Sequence, residues 1–140
     1  MKMDTNSNPM SDAEFLEGLE RCTLHPSDFT HEAHLRLAWI QIRMFGLETA
    51  KMNIEKLLRT YVEHVGAKDK YHQTLTLAAV ECVHHFLNKS RSDSFSDFIL
   101  EFPQLLNNFK ALINSHYSFD IFESAEARKD YVEPDVIPFA

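Results

Sequence analysis

The sequence predicts an all-α fold, a single-domain bundle of six to seven helices with no sheet. Three observations predict it. The 140 residues include only 3 glycines and 5 prolines, too little punctuation for many short strands and turns. Apolar residues recur at three- and four-residue spacing over long stretches, which is the pattern of a helix with one buried face. Apolar residues make up 44% and charged residues 25%, an ordinary balance for a globular chain long enough to bury a core.

The elements follow in order. Residues 1–10 are polar and read as a disordered lead-in, residues 11–131 as the helical domain, and residues 132–140 as an extended tail. Ser11-Asp12-Ala13-Glu14 fits a capping box, so a first helix opens there, with Phe15, Leu16, Leu19 and Cys22 on one face. Pro26 marks a connector. A second helix starts near Asp28 or Thr30 and stops at Gly46. A third runs from Leu47 to Val65 and stops at Gly66, burying Ala50, Ile54, Leu57, Leu58, Tyr61 and Val65. The fourth, from Tyr71 to about Asn88, is apolar on most sides and therefore central. A fifth is capped by Ser94 and ends at Phe102; a sixth runs from Pro103 to about Ser115. Ser124 to Tyr131 forms a short seventh.

Composition narrows the function classes. The 21 acidic and 14 basic side chains give a formal net charge of −7, and such a surface repels phosphate backbones, so no nucleic-acid partner is expected. No window approaches the length of apolar run that a membrane helix needs, so no membrane partner is expected either. Cys22 and Cys82 form no paired motif. Two isolated cysteines without an export signal suit reduced thiols and a cytoplasmic location.

Loop lengths then locate a candidate site. Short links make neighbouring helices antiparallel, so the starts of the second and fourth helices lie at one end of the bundle. His31 and His34 share a face in the first turn of the second helix. Tyr71 and His72 open the fourth, and His116 and Tyr117 end a descending leg directed at the same end. Three converging neutral imidazoles, His31, His34 and His72, are the donor set for a divalent metal such as zinc or iron, with Glu32, Glu133 and Asp135 able to complete the shell. Spacing of the HxxH kind is a weaker signal than HExxH. The positive ends of two helix dipoles point instead to a small anionic ligand, bound by Tyr71, Tyr117 and Arg128. In a catalytic version, a neutral histidine accepts a proton and Tyr71 or Tyr117 donates to developing charge. Each of these groups also has a plain structural use: histidines at helix starts commonly bond a neighbouring loop, and Arg128 with Glu133 can simply fix the tail.

The segments Phe29-Thr30-His31-Glu32-Ala33-His34-Leu35, Tyr71-His72-Gln73-Thr74 and Tyr117-Ser118 with Phe122, Ser124, Ala127-Arg128 and Tyr131-Val132-Glu133-Pro134-Asp135 resemble a pattern found in a family of small bacterial all-helical proteins without an established activity. In that pattern an HxxHL segment precedes YHET and then YS-FS-AR-WVEPD. The likeness extends from about Phe29 to Asp135. Gln73 stands where the pattern has glutamate and Tyr131 where it has tryptophan. The resemblance implies that these residues belong together and implies no reaction.

Two functions are therefore expected from the sequence. The first is a small-molecule (anionic) or metal-binding site at one end of the bundle. The second is a non-enzymatic helical protein–protein interaction module. Apolar stripes on several faces are compatible with a homo-oligomer.

Overall fold

A computed structural model describes residues 10–139; residues 1–9 of the expected lead-in lie outside the described residues. Among the described residues there are eight helices and no strand: α1 (Asp12–Glu20), α2 (His31–Phe45), α3 (Leu47–His64), α4 (Gln73–Leu87), α5 (Phe95–Glu101), α6 (Gln104–Asn107), α7 (Phe109–Asn114) and α8 (Ala125–Lys129). Single 3₁₀ turns at Pro26–Asp28, Lys68–Lys70 and Ile121–Glu123 link them. None of these helices is long and apolar enough to cross a membrane.

Local chemistry sets the boundaries. Ser11 caps α1 in a full capping box, accepting from the Glu14 amide while Glu14 reaches back to the Ser11 amide. Thr30 caps α2 by accepting from the Ala33 amide. Gly46 separates α2 from α3 with φ +83° and ψ 170°, a combination that side chains with a Cβ essentially never adopt. Two expectations are corrected. The fourth helix begins at Gln73, not Tyr71, because His72 is the cap and lies outside the helix. The expected sixth helix is two, since Asn108 leaves helical geometry (φ −143°, ψ 30°) between α6 and α7. That break turns the seven helices named from the sequence into the eight observed.

The core lies where α2, α3 and α4 pack on one another, with α1 against α3 and α8 against α4. Leu35, Leu37, Ala38, Ala50, Ile54, Leu58, Ala78, Val80 and Val83 are buried there. Removing the leucine, isoleucine and valine side chains among them from water supplies roughly 1.5–3 kcal/mol each. α4 is the central element: Thr74, Ala78, Val80, Cys82 and Val83 are all buried. Lys51 of α3 and Glu81 of α4 pair at 2.9 Å beside it. Cys22 and Cys82 are free thiols, and burial pushes the Cys82 thiol up to about 12.

Residues 130–139 contain no helix, yet they are held closely. The buried Thr74 hydroxyl donates to the Asp130 carbonyl and accepts from the Val132 amide, both at 2.9 Å. The Tyr117 hydroxyl donates to the Val132 carbonyl at 2.8 Å, and the Asp135 carboxylate accepts from both the amide and the hydroxyl of Ser118. Phe139 is buried against His116 and Tyr117.

Candidate functional site: a cavity between the starts of α2 and α4

The first turn of α2 presents two imidazoles. His31 lies against the Phe109 ring, 4.5 Å between centroids, and its Nε2 is 2.9 Å from the Leu105 carbonyl. That carbonyl belongs to α6, just before the Asn108 break. The ring of His34 stacks on Phe29 at 3.9 Å, and its Nδ1 meets the Thr30 carbonyl at 2.8 Å. Carbonyl oxygens only accept, so Nε2 of His31 and Nδ1 of His34 each carry a hydrogen. His34 retains solvent-exposed surface, but the atoms crowding its ring remove water from the charged form and lower its pKa, and His31 adds to the lowering.

His72 is used differently. Its Nδ1 accepts the Leu75 amide of α4 at 3.0 Å while its Nε2 donates to the Ile121 carbonyl at 2.8 Å. Both ring nitrogens are thus committed to backbone, and the ring is 6% exposed. Burial, with Arg128 nearby, lowers its pKa and keeps it neutral. Tyr71 donates to Gln73 Oε1 at 2.6 Å, with the Arg59 guanidinium 4.4 Å from its ring centroid. Burial raises its pKa.

Between these residues lies a half-open cavity of about 450 Å³. Leu35, Leu37, Ala38, Ile54, Leu58 and Val80 line it and are buried, so they form its floor. Val62, Val65, Leu75, Ala79 and Phe109 form its walls. The exposed residues at its rim include His31, His34 and Lys70. Among the described residues, no aspartate or glutamate lines it. Its size and largely apolar lining are those of a small-molecule site.

Four of the six expected site residues, His31, His34, Tyr71 and His72, line this one cavity. The argument from helix direction therefore brings residues about 40 positions apart in sequence to a common place. Tyr117 and Arg128 do not line it. Tyr117 anchors the tail, and Arg128 Nη1 donates to the Asp69 and Tyr71 carbonyls at 3.3 Å, bracing the turn before α4 from outside. The descending leg reaches the cavity through Phe109, just after the Asn108 break, while the Leu105 carbonyl before it holds His31. His116 meets the Ile137 carbonyl instead. Glu32 faces a different depression, and Asp135 is taken by Ser118. His31, His34 and His72 share the cavity without forming a metal-holding group: among the described residues no three or more His, Cys, Asp or Glu side chains are placed to hold an ion.

Sequence reasoning missed Lys70, Phe109 and the apolar wall. The wall had a signal, since Val62 of α3 and Val65 just past its end follow Leu58 of the floor at i+4 and i+7. Lys70 had none beyond standing just before the expected start of the fourth helix. No protein family matches the chain, and neither a curated protein nor a solved structure shows significant similarity to it.

Proposed function

We propose that the chain binds a small molecule with an apolar body and an anionic head, seated in the cavity between α2, α3 and α4. The observation that carries this reading is the pairing of an apolar floor with the Lys70 ammonium at the rim and, among the described residues, no carboxylate. A carboxylate head at the rim meets the Lys70 ammonium and the positive ends of α2 and α4, beside two imidazoles whose N–H groups are held by the Leu105 and Thr30 carbonyls. A cationic head finds no counter-charge there. The apolar body displaces water from aliphatic side chains, the main source of affinity in such sites.

Calorimetry with decanoate, decanol and decylamine tests it. Decanoate should bind saturably and raise the thermal midpoint, decanol more weakly, and decylamine least. Ala79→Phe, which fills the cavity from one wall, should abolish decanoate binding while leaving the helical circular dichroism unchanged. Lys70→Gln should weaken decanoate about two- to fivefold, as for a single partly exposed charge pair. Undiminished binding in Ala79→Phe would place the ligand elsewhere.

A further inference from the structure

Among the described residues, every hydrogen-bond donor on the cavity's side chains is already spent on the protein, with one exception. The hydroxyls of Tyr61 and Tyr71 donate to the Leu24 carbonyl and to Gln73 Oε1, and that of Thr76 to the His72 carbonyl. The Nε2 hydrogens of His31 and His72 are held by the Leu105 and Ile121 carbonyls, and the Nδ1 hydrogen of His34 by the Thr30 carbonyl. The exception is the Lys70 ammonium, which pairs with no carboxylate among the described residues. The cavity therefore offers its contents one cation and otherwise only acceptors.

The acceptors differ. A neutral imidazole with one N–H keeps a bare nitrogen at the other position of its ring. In His72 that nitrogen takes the Leu75 amide. In His34 it is Nε2, and no donor among the described residues reaches it. One face of the His34 ring lies on Phe29 at 3.9 Å and its Nδ1 is turned back to Thr30. Its opposite face and its Nε2 edge are the parts left to line the cavity. The crowding that lowers its pKa keeps the ring neutral and the lone pair available.

We infer that the ligand of this cavity is a hydroxy acid, its carboxylate resting at Lys70 and a hydroxyl close to that carboxylate donating to Nε2 of His34. The inference rests on the reading of the cavity as a site for an apolar body with an anionic head. A plain carboxylic acid fills the apolar part and meets the ammonium, but it leaves the imidazole nitrogen to water. An amide N–H could also donate to that nitrogen, yet it brings a carbonyl for which the lining has no side-chain donor left. A hydroxyl adds the missing donor alone.

Calorimetry on the full chain compares 2- and 3-hydroxydecanoate with decanoate and with 2- and 3-fluorodecanoate. Fluorine is close to a hydroxyl in size but has no hydrogen to give. One of the two hydroxy acids should bind about two- to tenfold more tightly than decanoate, the worth of one neutral hydrogen bond. Its fluoro counterpart should show no such gain. His34→Phe keeps a ring against Phe29 and removes both nitrogens. In that variant the ratio of hydroxy acid to decanoate affinity should fall to near one; if the variant does not fold, the five acids on the unaltered chain decide the matter. Decanoate binding with no gain from either hydroxyl overturns the hydroxy acid and leaves the apolar-acid reading standing. Failure of all five acids to bind overturns both. A fluoro acid as tight as its hydroxy counterpart, or a preference that survives in His34→Phe, also overturns the proposal.

Discussion

His72 shows how one side chain can serve as both cap and tie. Its neutral ring accepts from α4 and donates to the Ile121 carbonyl, and protonation would destroy the first of these bonds. Folding lowers its pKa from the ordinary 6.5, so the unfolded chain takes up a proton more readily than the folded one. The stability contributed by the neutral ring is therefore complete above pH 6.5 and is lost as pH falls toward the folded value. His72→Asn tests this, because asparagine can cap but does not titrate in this range. At pH 7.5 the variant should be less stable by about 1–2 kcal/mol, since the Ile121 carbonyl loses its donor. Urea denaturation should show that gap narrowing between pH 7 and 5. A constant gap would mean that another group titrates. In the sequence, His72 reads as a first-turn residue because histidine is not among the usual capping residues, and a boundary shift of two positions hid its role.

Among the elements, the α2–α3 junction was legible and the α6–α7 junction was not, for a shared physical reason. Gly46 is obligatory: its conformation belongs to glycine, so the residue itself announces the stop. A Cβ added there would touch nothing within 4 Å, so the cost of Gly46→Ala is backbone conformation alone, about 1–3 kcal/mol. The urea midpoint should fall by a corresponding amount with an unchanged slope. The break at Asn108 carries no such mark. Leu105, Leu106, Phe109, Leu112 and Ile113 keep helical spacing across it, and helix propensity distinguishes asparagine from its neighbours by only a few tenths of a kcal/mol. Tertiary contacts decide the matter, with the Leu105 carbonyl engaged by His31.

For the whole molecule, alternating helix direction was enough to bring His31, His34 and His72 to one cavity. It could not reveal that backbone groups consume so much of their hydrogen-bonding capacity: the carbonyls that bind His31 and His72 come from α6 and from the turn after α7, while the Thr30 carbonyl and the Leu75 amide are local. The tail was equally hidden, being read as extended without any sign of where it docks. Phe139→Ala should cost about 2–4 kcal/mol, toward the lower part of the range for a phenylalanine truncated in a core. Because Phe139 does not line the cavity, decanoate affinity should be unchanged in that variant once it is folded, and calorimetry below its midpoint would show this. The attachment of residues 130–139 to Thr74 and Tyr117 also bears on biosynthesis. Chains emerge from the ribosome beginning at the N-terminus, and α4, made midway, waits for Asp130 and Val132 to satisfy its buried hydroxyl. The packed state is therefore closed to the nascent polypeptide until translation has passed residue 139, leaving a half-made chain with its central helix uncovered and dependent on whatever shields apolar surface in the meantime.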